Sequence, residues 1–172
     1  MKIIIYNIGE YGPVGLFIAS CFLLWNKKNL IYYYTVGTIL NCILNLLLKV
    51  SFQQPRPSDD VDKFNLAITK GRKHLFTMVP FNIYGMPSGH SQSVMFSTVY
   101  VFLSLQNTNI SLFYLSIALI TMWQRVNYNF HTIMQVLVGC VVGGLFAHGI
   151  FQLAKGNIIG LIEAKPDDNA PY

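Results

Sequence analysis

The chain has 172 residues, of which 53% are apolar and 11% charged, against roughly 25% charged in soluble globular domains. A water-soluble domain is thereby excluded, and the length leaves room for one domain rather than two. The net charge of +5 and the pI near 9.1 do not point to nucleic acid, because apolar stretches separate the bases and no single polar face collects them. Anionic headgroups or a phosphorylated lipid suit the positive charge better.

Residues 1–10 carry Ile3, Ile4, Ile5 and Ile8 beside Lys2 and Glu10, which reads as an interfacial segment leading into a first span. No cleavable signal series is evident in Met1 to Ser20. Five apolar stretches free of Asp, Glu, Lys and Arg follow: Tyr11 to Trp25, Leu30 to Leu48, Ser91 to Leu105, Ile110 to Trp123 and Ile133 to Leu153. Several are shorter than the roughly 20 residues that cross a 30 Å hydrocarbon layer, a weak pointer to a thin membrane such as the endoplasmic reticulum. Asn26 to Asn29 and Gln106 to Asn109 are tight turns between antiparallel helices. The connector of residues 49–86 holds nine of the nineteen charged residues and is the main wet part. The tail of residues 154–172 is polar and read as frayed. The expected architecture is an all-α, polytopic membrane bundle of about five transmembrane helices forming a single domain over residues 1–172.

Five crossings place three polar clusters on one membrane face. In the first, Lys49 and Arg56 stand seven residues apart, with Pro55 and Pro57 fixing the backbone around the guanidinium. A point charge and a planar fork suit a multiply charged oxyanion, although bases at a helix end also snorkel to headgroups. In the second cluster, Pro87-Ser88-Gly89-His90 opens an apolar helix. Its terminal amides and dipole favour phosphate, and His90 in the first turn can give a proton to a leaving oxygen. An ordinary Ser cap beside a wet histidine shares that pattern. In the third, Arg125 is the lone Asp, Glu, Lys or Arg between His74 and Ala154, and an isolated cation at a membrane boundary is by default a functional candidate. His131 and Gln135 are four apart on one helical face, so the amide oxygen can accept the imidazole Nδ1–H and leave Nε2 as a nucleophile. A buried histidine satisfied by its neighbour is the alternative.

In order and internal spacing, Lys49, Arg56-Pro57, Pro87-Ser88-Gly89-His90, Arg125 and His131 resemble the three signature motifs of the type 2 phosphatidic acid phosphatase and haloperoxidase superfamily. Residues 84–92 and 131–136 resemble its dolichyl diphosphatase branch, which removes a phosphate from a polyprenyl diphosphate. The resemblance implies an integral membrane lipid phosphatase in which His131 attacks phosphorus to form a phosphohistidine and His90 protonates the leaving group. Lys49, Arg56, Ser88, Gly89 and Arg125 then hold the phosphoryl group, with no cofactor and no metal. It also implies a site on the lumenal or external side. The partners are a lipid phosphate or diphosphate and membrane lipids, without nucleic acid. The superfamily usually has Asp where this chain has Gln135, but Gln is usual in the dolichyl diphosphatase branch; Gln124 stands where Ser is common. Other phospholipid phosphatases, a lipid phosphotransferase and a catalytically silenced lipid-binding protein are the competing readings.

Outside the motifs, Asn41, Asn45 and Lys49 form a polar stripe suited to interhelical hydrogen bonds. Gly139 and Gly143 continue the His131 face and permit a neighbouring helix to pack close. His148 is expected to be a bonded structural histidine, His74 carries no motif, and Cys21, Cys42 and Cys140 are expected to be small hydrophobes.

Overall fold

The computed structural model describes residues 2–57 and 84–163, and the side chains of all of these except 2 and 161–163. Among them are five helices: α1 (Lys2–Leu23), α2 (Lys28–Phe52), α3 (Gly89–Leu105), α4 (Thr108–Asn127) and α5 (Ile133–Glu163). Three are long and apolar enough to cross a membrane, over Ile3–Leu23, Lys28–Phe52 and Ile133–Gly160. Helices α3 and α4 are shorter, with 17 and 20 residues. The fold is the all-helical membrane bundle that the apolar pattern implies.

Local chemistry sets the helix ends. Gln53 and Gln106 adopt left-handed backbone after α2 and α3, each returning its amide to a carbonyl of the last turn. Asn107 then caps α4 by accepting from the Ile110 amide at 3.1 Å, so the α3–α4 turn is as tight as its sequence requires. Two boundaries differ from the sequence reading. Residues 2–10 are helical and continuous with α1, and Glu10 lies inside that helix rather than before it. Helix α5 runs on through residues 154–163, because Ile158 and Ile159 sustain an apolar pattern and the first proline is Pro166. The remaining tail, residues 58–83 of the connector and His74 lie outside the described residues.

Helix α3 is central and touches all four others, most extensively α5. The α3–α5 seam is close because Gly139 and Gly143 offer no side chain to it. A Cβ at Gly139 would stand 2.6 Å from the Ser88 carbonyl oxygen, and one at Gly143 would collide with the Gln92 backbone. Away from the polar clusters, the core holds Leu24, Tyr34, Phe96, Tyr100, Ala147 and Ile150. The tyrosine hydroxyls are satisfied: Tyr34 pairs with Ser97 at 2.8 Å and Tyr100 donates to the Leu30 carbonyl at 2.8 Å.

Polarity is arranged inside out. Leu47, Leu119, Val141 and Leu145 are exposed, whereas Asn45, Lys49, Gln92, Gln124 and Gln135 are buried, as suits a bundle surrounded by lipid. The polar stripe of α2 makes the expected interhelical bonds. Asn45 donates to Gln92 Oε1 at 2.8 Å, and Gln92 donates in turn to Asn41 Oδ1 at 2.8 Å. His148 is bonded, but to Gln152 one turn along its own helix and on the exposed face of α5. The three cysteines are free thiols.

Candidate active site

A cavity of about 440 Å³ lies where the three polar clusters meet. Of the residues singled out in the sequence, Lys49, Arg56, Gly89, His90, Arg125 and His131 line it. Five separate segments of the chain therefore converge there: the end of α2, the start of the connector, the start of α3, the end of α4, and the loop into α5.

The loop between α4 and α5 is short because it is tied to the end of α4. The amides of Phe130 and His131 both donate to the Arg125 carbonyl at 3.0 Å, with Asn129 in the left-handed region. The guanidinium of Arg125 and the ring of His131 are thus carried by one hydrogen-bonded turn. Phe130 stacks on that guanidinium, its ring centre 4.9 Å away.

His131 is nearly inaccessible, and its Nδ1 lies 3.1 Å from Gln135 Oε1. The direction of that bond follows from the other partners of Gln135. Its Nε2 donates to the Pro55 carbonyl at 2.7 Å and to Gln54 Oε1 at 3.1 Å, while its Oε1 accepts from the Thr132 amide at 3.2 Å. A carbonyl only accepts and an amide N–H only donates. The Gln135 oxygen therefore faces His131, Nδ1 carries the hydrogen, and Nε2 keeps its lone pair. Burial, reinforced by the Arg56 cation, pushes the His131 pKa down to about 3, against the opposing effect of the Gln135 bond. The ring is a neutral base at neutral pH.

The cations are held by the backbone and by one acid. Lys49 is buried and donates through Nζ to the Tyr84 carbonyl at 2.5 Å. Tyr84 is in turn bridged to Pro55, and the Gly85 amide donates to the Gln54 carbonyl at 2.7 Å. These contacts join the two ends of the connector beside Arg56. Burial and the Arg125 charge shift the Arg56 pKa below its ordinary value, and a guanidinium starting so high stays charged.

Ser88 departs from its expected place. It is completely buried, its amide donates to the Gln135 carbonyl at 3.0 Å, and its hydroxyl accepts from Ser91 Oγ at 3.1 Å. It makes no side-chain cap on α3 and is not part of the cavity wall. Its amide is thus taken by a partner distant in the chain and is not offered to the cavity. The first-turn amides that helix geometry leaves free begin at Gly89, which does line the cavity.

Three further wall residues were not singled out: Glu10, Tyr6 and Phe130. Glu10 pairs with Arg125, Oε2 to Nη2, at 2.5 Å. His90 Nε2 stands 3.2 Å from the Glu10 carbonyl oxygen and 3.9 Å from its Oε1. A signal for Glu10 existed, since it is the only acidic residue before Asp59 and a lone acid among apolar residues calls for a lone base. Gln124, the unusual residue before Arg125, belongs to the same contact. It is completely buried, packs against Gly9, and donates to Glu10 Oε2 at 3.5 Å.

Taken together, the cavity offers positive charge for an oxyanion, a neutral imidazole with its tautomer set, and a second imidazole on its wall. Among the described residues no cluster of His, Cys, Asp and Glu is suited to a metal ion.

Residues 29–159 match the PAP2 superfamily. The chain is 34% identical over 153 residues to Dolichyldiphosphatase 1 of Homo sapiens, covering 79% of this chain and 58% of that protein. It is 33% identical over 161 residues to Dolichyldiphosphatase 1 of Rhinolophus ferrumequinum, with 84% and 61% covered. Lipid phosphate phosphatase epsilon 2, chloroplastic, of Arabidopsis thaliana is 28% identical over 120 residues, with 65% and 35% covered. The chain spans about three fifths of the length of these dolichyldiphosphatases. No solved structure gives a significant match. All the residues expected from the sequence to form the site lie inside the matched segment, and α1 lies outside it.

Proposed function

Because this chain belongs to the PAP2 superfamily, we propose that it is a membrane lipid phosphatase that hydrolyses a polyprenyl, dolichyl-type diphosphate to the monophosphate. The observation that carries this reading is the convergence of two imidazoles and three basic side chains on one cavity of about 440 Å³. The diphosphate preference is supported by the relatives named dolichyldiphosphatase.

In this reading Lys49, Arg56, Arg125 and the Gly89 amide hold the terminal phosphoryl group and neutralise charge in the transition state. His131 Nε2 attacks phosphorus in line with the bridging oxygen. The N–P bond forms as the P–O bond breaks, and His90 gives a proton to the departing polyprenyl monophosphate. Water, deprotonated by His90, then cleaves the phosphohistidine and releases inorganic phosphate. Gln135 orients the nucleophile and Ser88 supports the phosphate loop from beneath. Positioning and electrostatics supply most of the rate, since phosphoryl transfer asks little covalent work of a protein. The site lies on the lumenal or external side of an endoplasmic reticulum-like membrane, with the prenyl tail in lipid.

A broader phospholipid phosphatase is the second reading, favoured by the likeness to the lipid phosphate phosphatases of Arabidopsis thaliana. Phosphate release by the purified protein from phosphatidic acid, a prenyl monophosphate and a prenyl diphosphate separates the two. The diphosphate is expected to be the best substrate, and His131→Ala to release nothing. Inertness of the intact protein on the whole panel, or activity that survives His131→Ala, would overturn the proposal.

A further inference from the structure

We propose that Glu10, carried by a helix outside the family match, is a positioning residue of the active site that keeps His90 able to hold the proton it delivers. This rests on the phosphatase reading for its purpose, but the contact itself does not.

Helix α1 is brought to the site by small residues. Gly9 lies against Gln124 so closely that a Cβ there would stand 2.5 Å from Gln124 Cβ. The next residue, Glu10, then reaches two catalytic candidates at once. Its carboxylate holds Arg125 at 2.5 Å through Oε2 and stands 3.9 Å from His90 Nε2 through Oε1. A carboxylate in an apolar helix is retained where it is paired, and this one is ion-paired to Arg125 and stands 3.9 Å from the His90 ring.

The backbone of Glu10 fixes the tautomer. Its carbonyl oxygen, 3.2 Å from His90 Nε2, can only accept, so Nε2 carries hydrogen whether the ring is neutral or charged. The proton that comes and goes on His90 is therefore the one on Nδ1. Transfer from Nδ1 to the leaving oxygen returns the ring to the neutral Nε2–H form that the carbonyl already holds.

The groups facing His90 come from several elements: Glu10 from α1, Arg125 from α4, Arg56 from the connector, and Lys49 and His131 on the same cavity wall. Burial and then Arg125 push its pKa down to about 4, with Arg56 adding to the effect; Glu10 opposes them through its charge and its carbonyl. Glu10 is the acid among these groups that offsets the cations. A bound phosphoryl anion would act on the His90 pKa in the same upward direction as Glu10, and the two anions together keep Nδ1 protonated when the bond breaks.

The experiment is a pH titration of the histidine ring nitrogens by NMR, on the full chain labelled with ¹⁵N-histidine in detergent, with His90 assigned by His90→Gln. Wild type is expected to show the neutral ring as the Nε2–H tautomer. Glu10→Gln, which keeps the shape and removes the charge, should lower the His90 midpoint by about one pH unit. Glu10→Asp should lie nearer to wild type. The alkaline limb of phosphate release from a prenyl diphosphate should move to lower pH in Glu10→Gln in parallel. An unmoved midpoint, or a neutral ring protonated at Nδ1 in wild type, overturns the inference, and the second outcome decides it even where Glu10→Gln does not fold. A wild type that releases no phosphate would refute the phosphatase reading, while the titration still decides the role of Glu10.

Discussion

Gly85 and Gln135 touch across the site with no room between them. A Cβ on Gly85 would stand 2.5 Å from Gln135 Oε1 and 2.6 Å from its Nε2. The glycine cannot retreat, because its amide is bonded to Gln54. Gly85→Ala is therefore expected to push the Gln135 amide off His131 and to lower kcat about 100-fold, with a smaller change in KM. Gly149→Ala, which meets nothing within 4 Å, should leave both constants unchanged. Steady-state kinetics on a prenyl diphosphate checks the pair.

Gln135 is more than a neutral substitute for a carboxylate. Its nitrogen donates to Pro55 and Gln54 while its oxygen serves His131. A carboxylate accepts from His131 but faces two acceptors it cannot satisfy. Gln135→Glu should consequently lower the thermal midpoint in detergent, by about 1–3 kcal/mol of stability, and lower turnover despite the added negative charge beside the imidazole. Higher turnover at unchanged stability would contradict this account.

Both histidine pKa values are pushed below the ordinary 6.5, to about 3 for His131 and about 4 for His90. The unfolded chain therefore binds protons between pH 6.5 and 4 that the folded chain does not. Their contribution to stability is complete above pH 6.5 and falls as pH drops toward 4, by at most about 1.4 kcal/mol per pH unit for each ring. Thermal midpoints from pH 7.5 to 4.5 should decline, and His131→Gln should flatten part of the slope. A slope identical in the variant would show that His131 is not the group responsible.

Arg125 is gripped by Glu10 at one nitrogen and by Phe130 over its plane. An ammonium cannot reproduce a fork and a stacked plane together. Arg125→Lys should reduce kcat/KM at least about tenfold, and Arg125→Ala more. Parity of Arg125→Lys with wild type would mean that charge alone suffices.

What the sequence made legible was chiefly local. His131 and Gln135 are four residues apart on a helix entry, and a spacing of that kind fixes a contact without knowledge of the fold. The Gly139 and Gly143 spacing likewise foretold a close helix, although not that the helix would be α3. Misread features depended on partners far along the chain. Glu10 looked like a boundary charge because its base, Arg125, lies 115 residues away. Ser88 reads as a phosphate ligand in the sequence, but it is the N-cap residue of α3 with its amide on the Gln135 carbonyl and its hydroxyl on Ser91, away from the cavity wall. The polar residues after Ala154 suggested fraying because polarity is visible in a sequence, whereas continuation of a helix past it is not.

The bridge between Pro55 and Tyr84 has a consequence for how such a protein diversifies. It fastens the chain on either side of residues 58–83, so the places of Arg56 and of the Pro87 turn are set at the two fastened ends. Closing a longer ring adds little entropy, about 0.6 kcal/mol for each doubling. A change of length between the two fastened ends is therefore cheap in chain entropy, and the knot at Pro55 and Tyr84 is what holds Arg56 and the Pro87 turn in register with each other.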